Sequence, residues 1–420
     1  MSITSHIPHP TFSIVSLGCF RNTYDSEVTA QRFSDQGYIF KPDIKTGSDL
    51  LIINTCGFID KAKEESLEAI KAALDLKKKK KIRKILVFGC LVKRYEKELK
   101  KYFPQVDEWR CIENFGPYFV KRKSLSSGFS DFLKISEGCI NGCSFCAIPA
   151  IKGPLISRPA DEVIKEAKYL DRKGVKELNI IGQDITGWGK DLKNNQNLTY
   201  LLKRILKEVK IKWIRLIYTH PKNFSNSLIE LIANEERICK YIDLPIQHIS
   251  DRILGIMNRG ISRKKTIELI RKIRKKIPNC VIRSSVITGF PTETEEESKE
   301  LLSFLKSIRF ERLGAFVYSR EKETQAYNLK PQIHSGTKKR RFKEIMLAQK
   351  EIAHQLNSVF VEQNLEILVE SKAGDTFIGR SQYDAPLVDG IVFIKKKGLK
   401  IGQFYKAKII DAYDYDLVGI

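Results

Sequence analysis

Short apolar runs alternate with amphipathic stretches along most of the chain. In the first 90 residues, three apolar runs each end in a cysteine, at residues 13–19, 49–56 and 84–90. Stretches with apolar residues at helical spacing separate them, and residues 62–76 are the clearest example. Alternating strands and helices predict right-handed crossovers and a parallel sheet, hence an N-terminal α/β domain.

The three cysteines that end these runs are Cys19, Cys56 and Cys90. In a parallel sheet the C-terminal ends of the strands lie along one edge, so the three thiols are expected to meet there. Core packing is the alternative for any one cysteine, but it explains three equivalent positions poorly. Cysteines in a reducing compartment indicate metal binding or catalysis rather than disulfides, so the pattern predicts a site of one of these two kinds at this edge.

A second series of strands and helices follows a connecting stretch at residues 117–128. Its strand candidates are residues 132–136, 177–182, 213–218, 241–245, 281–287 and 312–318. The three clearest helices are residues 159–170, a stretch that begins directly after Ser262, and residues 292–308. Ser262 is the expected N-cap of the second helix, and acidic residues fill the first turn of the third. Six strand–helix units predict an open (β/α)6 barrel, smaller than the closed eight-unit form.

The pattern changes after a long helix predicted from Lys338 to about Val361. Four short strand-like segments then lie between Gly, Asp and Pro turns, which predicts a small all-β barrel. The predicted domains are residues 11–120, 130–358 and 359–420.

The strongest motif is the segment Cys139, Cys143 and Cys146, spaced Cys-x3-Cys-x2-Cys directly after a predicted strand. Three thiolates on one tight loop can bind three corners of a four-iron–four-sulfur cluster and leave the fourth iron open to a chelating substrate. Structural zinc is the alternative, but it needs a fourth ligand and usually a second Cys-x2-Cys pair, which the sequence lacks. Three other cysteines, Cys111, Cys239 and Cys280, are expected to be small buried apolar residues.

Charge and composition add limits on location and partners. The chain carries a formal charge of +24, which favours a polyanionic partner or reflects lysine-rich solvated helix faces. Residues 361–420 hold 8 Lys and Arg against 9 Asp and Glu, so their net charge is −1 and the rest carries +25. The absence of a signal sequence and of a membrane-length apolar run predicts a cytoplasmic protein with no membrane partner.

The cysteine loop resembles that of the radical S-adenosylmethionine (SAM) enzymes. Together with the three N-terminal cysteines and the terminal β module, the chain resembles the methylthiotransferases of that superfamily over nearly its whole length, and its segments are most similar to the RimO branch. The resemblance implies two 4Fe-4S clusters, one held by the loop and one by the N-terminal cysteines, and a terminal domain called TRAM. It also implies that SAM chelates the open iron and is cleaved to a 5′-deoxyadenosyl radical.

Within this resemblance, residues after the barrel strands are expected to contact SAM. These candidates are Gly182, Gln183, Gln247, His248, Gly289 and Pro291. Apart from the cluster ligands, no residue is expected to be catalytic, and no acid–base pair is expected. The chain departs from the family pattern at Thr292 and at Glu323, where relatives have glycine.

The RimO branch implies methylthiolation of the β-carbon of an aspartate in small-subunit ribosomal protein twelve, either free or on the ribosome, with a flavodoxin-type or ferredoxin-type electron donor. A tRNA methylthiotransferase acting near the anticodon is the first alternative, because residues 218–221 are similar to that sibling family. A non-catalytic iron–sulfur RNA-binding or sensor protein is the second. The near-neutral terminal module favours a basic ribosomal protein over tRNA, and five of its acidic residues are candidate contacts: Asp384, Asp389, Asp411, Asp414 and Asp416.

Overall fold

The computed structural model describes residues 9–111, 121–125, 128–193 and 195–420, and it divides into two compact units. Unit 1 holds the described residues up to Leu125 together with Ala150–Gly153, and unit 2 holds the rest. Parts of the predicted connecting stretch, residues 117–120 and 126–127, lie outside the described residues. The predicted domain limits stay a prediction.

Unit 1 is built on a five-stranded parallel sheet with the strand order β2-β1-β3-β4-β5. The strands are β1 (Thr11–Ser16), β2 (Ile39–Phe40), β3 (Ser48–Thr55), β4 (Ile82–Gly89) and β5 (Glu108–Arg110), and the helices are α1 (Phe20–Asp35), α2 (Asp60–Lys78) and α3 (Cys90–Tyr102). The central strand β3 is apolar on both faces because helices cover both, and Ile52 and Ile53 are fully buried. The predicted parallel N-terminal sheet is confirmed.

Unit 2 contains a six-stranded parallel sheet whose main strands follow one another in chain order. Its strands are β6 (Ser130–Lys134), β9 (Glu177–Ile181), β10 (Trp213–Leu216), β11 (Ile238–Asp243), β12 (Val281–Thr288) and β13 (Arg312–Val317), and the short strands β7 (Ser136–Glu137) and β8 (Ile156–Ser157) pair separately. Sequential order with a helix between strands is the arrangement of an open β/α barrel, as predicted.

Eight α-helices of the described chain follow β7, and all lie in unit 2 except Ala150–Lys152 of α4, which belong to unit 1. They are α4 (Ile148–Lys152), α5 (Ala160–Arg172), α6 (Leu198–Glu208), α7 (Asn226–Asn234), α8 (Asp251–Ile256), α9 (Arg263–Lys276), α10 (Glu295–Ile308) and α11 (Ser335–Ser358). Ser262 caps α9 as predicted, because its hydroxyl accepts a hydrogen bond from the Lys265 N–H. None of the helices described here is both long enough and apolar enough to cross a membrane.

The terminal module is a closed five-stranded barrel, as predicted. Its strands are β14 (Asn364–Ala373), β15 (Thr376–Ser381), β16 (Val392–Ile394), β17 (Phe404–Ala412) and β18 (Leu417–Gly419). The module contacts the strand beginnings of the six-stranded sheet. Trp213, which opens β10, packs edge-on against Phe404 with ring centroids 4.7 Å apart. Arg312, which opens β13, pairs with Asp384 at 2.7 Å.

Candidate cluster and SAM site

Three cysteines lie at one edge of the sheet in unit 1. Cys19 precedes α1 three residues after β1, and Cys56 and Cys90 directly follow β3 and β4. Because these strands are parallel neighbours, their C-terminal ends lie side by side. Gly18 shows how close the thiols come: a Cβ at this residue would stand 2.8 Å from the Cys56 Sγ, and its φ of +89° also favours glycine.

The pKa values of the three thiols are shifted in different directions. Burial, with a smaller contribution from the neighbouring thiols, raises the pKa of Cys56 to about 11 and that of Cys90 to about 12. Burial also acts on Cys19, but the charge of Arg21 and its Nε–Sγ hydrogen bond of 3.4 Å outweigh it and lower the pKa of Cys19. Three soft, clustered sulfur ligands suit an iron–sulfur cluster.

Lys152 adds a buried cation to unit 1. Its Nζ lies 3.0 Å from an Asp25 carboxylate oxygen, and both side chains are buried. Its charge opposes the effect of burial on the pKa of Cys90, which places the ammonium in the electrostatic neighbourhood of that thiol.

In unit 2 the cysteine loop, residues 139–146, runs between β7 and α4. The Asn141 backbone N–H donates to the Cys139 Sγ at 3.4 Å, and the Arg259 Nη1 donates to the Cys143 Sγ at 3.3 Å. Between these cysteines and Cys146, the Ser144 N–H donates to the Met257 carbonyl at 3.0 Å. The loop is therefore fastened at its middle to the segment after α8.

The thiols are not arranged around one point. In the part of the chain that the structure describes, no three His, Cys, Asp or Glu side chains come together as ligands of a single metal ion. In a four-iron cluster each thiolate binds a different iron, so the sulfurs are held apart by the cluster itself.

Unsatisfied polar atoms surround the cysteine loop. Among the described residues, five buried side-chain atoms close to the loop in the chain or through its contacts lack a hydrogen-bond partner: Ser136 Oγ, Ser144 Oγ, Gln183 Oε1, His220 Nε2 and Arg259 Nε. A buried polar atom without a partner costs about 1–3 kcal/mol, so their concentration here indicates a polar ligand. The donors, acceptors and thiols together fit a cluster with SAM bound to it.

The candidate SAM residues lie where the sequence predicts them, at the C-terminal strand ends of the six-stranded sheet. Gly182 and Gln183 directly follow β9, and a Cβ at Gly182 would stand 2.7 Å from the Ser136 Oγ. Gln247 follows β11 with a φ of +72° and pairs with Val286 of β12. Gly289 and Pro291 follow β12, and the φ of Gly289 is +68°.

His248 is different, because both of its ring nitrogens are occupied. Its Nδ1 accepts a hydrogen bond from the Ser250 N–H at 3.0 Å, and its Nε2 lies 3.4 Å from the Glu293 Oε1. Glu293 also accepts from the Gly289 N–H and pairs with Arg341 at 3.0 Å. His248 thus belongs to a buried network that fixes the backbone at Gly289.

Sequence reasoning missed two residues of this site, His220 and Arg259. His220 is in the 218–221 segment that follows β10, at the same edge as the other candidates. Burial, together with the charges of Arg259, Lys222 and Lys190, lowers the pKa of His220 to about 2. The position of this polar segment after a predicted strand was the available signal.

Several sequence expectations are wrong in the structure. Cys111 is exposed rather than buried, because it follows the edge strand β5, whereas Cys239 and Cys280 are buried as expected. Asp384 and Asp389 are not free surface groups. Asp384 pairs with Arg312, and Asp389 accepts a hydrogen bond from the Tyr241 hydroxyl at 2.7 Å.

The other three acidic candidates of the terminal module have mixed roles. Asp416 accepts a hydrogen bond from the Ile391 N–H at 2.9 Å, and Asp414 lies 3.1 Å from the Lys350 Nζ. Asp411 is exposed and accepts only from its neighbour Ala412 in the described chain. At most Asp411, Asp414 and Asp416 are available for a partner.

Comparisons with known proteins agree with this architecture. Residues 133–305 match the model of the radical SAM superfamily, residues 11–110 match the uncharacterized protein family UPF0004, and residues 361–420 match the TRAM domain. Among solved structures, the radical SAM methyltransferase TsrM from Kitasatospora setae superposes with a TM-score of 0.53 at 14% identity, over 76% of this chain and 77% of that one. At this identity the likeness shows the fold alone.

Relatives with the same domain order cover almost the whole chain. The ribosomal protein uS12 methylthiotransferase RimO of Chloroherpeton thalassium is 42% identical over 97% of both chains. The RimO of a Thermoanaerobacter species is also 42% identical, over 97% of this chain and 98% of its own, and that of Phocaeicola vulgatus is 40% identical over the same shares. With its two cysteine triads, its β/α barrel and its terminal barrel, this chain belongs to the RimO family of radical SAM methylthiotransferases.

Proposed function

We propose that this enzyme transfers a methylthio group to the β-carbon of an aspartate in ribosomal protein uS12. The observation that carries the proposal is the identity of about 40% to uS12 methylthiotransferases along nearly the full chain. The reaction belongs to radical SAM chemistry, and SAM and two 4Fe-4S clusters are its cofactors. Ribosome-bound uS12 as the substrate form, a flavodoxin-type or ferredoxin-type reductant and a cytoplasmic location complete the proposal.

The residues divide into two ligand sets. Cys139, Cys143 and Cys146 hold the cluster that binds SAM, and Cys19, Cys56 and Cys90 hold the second cluster. When bound, these groups supply a radical that removes hydrogen from an unactivated carbon, together with the sulfur to be inserted there. The protein binds and orients the groups, and the glycines at strand ends let its backbone approach them closely.

The other predicted SAM residues take separate roles. Gly182, Gln183, Gln247, Gly289 and Pro291 contact SAM along the C-terminal strand edge, as enzymes of this barrel type place their sites there. His248 acts as a positioning residue through Glu293, because both of its ring nitrogens already have partners in the protein. Its Nε2 proton points at the carboxylate that also holds the Gly289 N–H.

The decisive experiment uses anaerobically reconstituted full-length enzyme with SAM, dithionite and two substrates in parallel. The first is a peptide carrying the target aspartate loop of uS12, and the second is tRNA with the modified adenosine next to the anticodon. We expect a mass increase of one methylthio group on the peptide aspartate, measured by mass spectrometry, and unchanged tRNA. Methylthiolated tRNA with an untouched peptide would assign the enzyme to the sibling activity. SAM turnover without modification of either would contradict both assignments.

A further inference from the structure

Two buried donors beside the cysteine loop have no acceptor among the described residues. Arg259 is 4% exposed; its Nη1 donates to the Cys143 Sγ and its Nη2 to the Pro245 carbonyl at 2.6 Å, while its Nε lacks a partner. His220 is 5% exposed, and its Nδ1 accepts from the Lys222 N–H at 3.2 Å. The proton of the neutral ring is therefore on Nε2, which also lacks a partner.

The surroundings of these donors are cationic. Arg259, Lys222 and Lys190 all lie close enough to His220 to act on its ring electrostatically. The nearby carboxylate of Asp184 cannot satisfy them, because its oxygens already accept from Thr186, Asn141 and Asn223. Among possible ligands, an anionic acceptor suits buried donors in a positive environment best.

We propose that Arg259 and His220 form a carboxylate-binding subsite beside Cys143. Two carboxylates belong to the reaction: the one of SAM itself and the side chain of the target aspartate. The first follows from family membership alone, whereas the second rests on the proposed function. Both would satisfy the Arg259 Nε and His220 Nε2 donors, so the experiment has one arm for each.

Two variants remove the donors with limited structural change. His220→Asn keeps an oxygen near the position of Nδ1, which preserves the contact with the Lys222 N–H, and removes the donor at the Nε2 position. Arg259→Met removes the guanidinium but keeps an apolar stem of similar length. Arg204→Met is the matched control, because Arg204 is a partly exposed arginine on α6 that pairs with Asp161 at the surface.

The SAM arm compares the affinities of SAM and decarboxylated SAM for reconstituted enzyme by equilibrium dialysis, with the iron content of each variant measured. Wild type favours SAM partly through the iron and partly through the subsite. We expect His220→Asn and Arg259→Met to reduce this preference, on the order of tenfold to a hundredfold for a charged hydrogen bond. Arg204→Met is expected to retain the full preference.

The substrate arm compares a uS12 peptide carrying aspartate with the same peptide carrying asparagine, by fluorescence anisotropy in the presence of SAM. A reduced preference for aspartate in the two variants assigns the subsite to the substrate, and a reduced preference for SAM assigns it to SAM.

Unchanged preferences in both arms would overturn the proposal. If Arg259→Met fails to hold iron, His220→Asn alone decides. If the aspartate peptide does not bind wild type while the SAM arm responds, the proposed function fails and the subsite stands.

Discussion

Glu177 is the first residue of β9 and is fully buried between two arginines. The Arg215 Nε lies 2.8 Å from one carboxylate oxygen and the Arg380 Nη2 lies 2.5 Å from the other. Burial alone would raise the pKa of Glu177, but the two guanidinium groups outweigh it and lower the pKa to about 2. Because Arg380 belongs to β15, this carboxylate joins the terminal module to the six-stranded sheet.

The lowered pKa predicts a pH-dependent stability. A carboxyl group with a folded-state pKa of about 2 instead of 4.5 contributes about 3 kcal/mol to the free energy of unfolding. This contribution is fully present above about pH 4.5 and is lost as the pH falls from 4.5 towards 2. In Glu177→Gln we expect the urea midpoint, followed by tryptophan fluorescence, to fall at pH 7 and to depend less on pH in that window.

Glu366→Gln is the control for this prediction. Glu366 pairs with Lys212 at the same junction of module and sheet, but both side chains are partly exposed. Exposed pairs contribute about 0–1 kcal/mol. Equal losses of stability in both variants would show that burial of Glu177 between the arginines has no special effect.

Two departures from the family pattern show which properties of single residues could not be predicted from the sequence. Thr292 and Glu323 stand where the motifs of the family that the sequence resembles have glycine, and the structure places them at φ of +70° and +69°. Both residues therefore have a backbone conformation that suits glycine better than a residue with a side chain. The buried state of Asp384 was equally hidden, because its partner Arg312 is distant in the chain.

Among the elements, α10 shows how a local signal sets a boundary. Thr294 caps the helix: its Oγ1 accepts from the Glu297 N–H at 3.2 Å, and the Glu297 carboxylate accepts from the Thr294 N–H at 2.9 Å. The helix begins at Glu295, four residues after Pro291, which is one of the predicted SAM contacts. The cap therefore determines where the segment that carries Gly289 and Pro291 ends.

Thr294→Ala removes one half of this reciprocal cap. We expect a loss of about 1 kcal/mol in the free energy of unfolding, as for other threonine caps. Thr294→Ser keeps the hydroxyl and should retain most of the stability. Both are measured by urea unfolding at pH 7, and an equally large loss in the serine variant would assign the effect to the methyl group instead of the cap.

Elements with strong local patterns could be predicted from the sequence, and elements defined by their neighbours could not. The apolar run of β3 and the periodicity of α5 are visible without a structure. The short strands β2, β5 and β18 hold three residues or fewer, and they exist because a neighbouring strand offers hydrogen bonds. Closure of the terminal barrel depends on β18, which pairs with both β16 and β17.

At the scale of the whole molecule, the two ends of the six-stranded sheet have different roles. The terminal module contacts strand beginnings through Glu177, Trp213 and Arg312, whereas the SAM candidates follow the strand ends. The topology of a parallel sheet makes this division predictable once the strands are known. The side of the sheet that the module covers was not predictable, because buried arginine pairs between distant segments determine it.

The two cysteine triads belong to different units, and this predicts separable activities. We expect a triple alanine variant at Cys19, Cys56 and Cys90 to retain about half of the iron of wild type, which would hold about eight atoms in two four-iron clusters. It should still cleave SAM to 5′-deoxyadenosine but insert no sulfur into the uS12 peptide. The matched variant at Cys139, Cys143 and Cys146 should also retain about half of the iron, yet lose SAM cleavage entirely.

Three measurements check this prediction: iron analysis, chromatography of 5′-deoxyadenosine and mass spectrometry of the peptide. The division would be wrong if the second variant still produced 5′-deoxyadenosine, or if the first lost SAM cleavage while circular dichroism showed an intact fold.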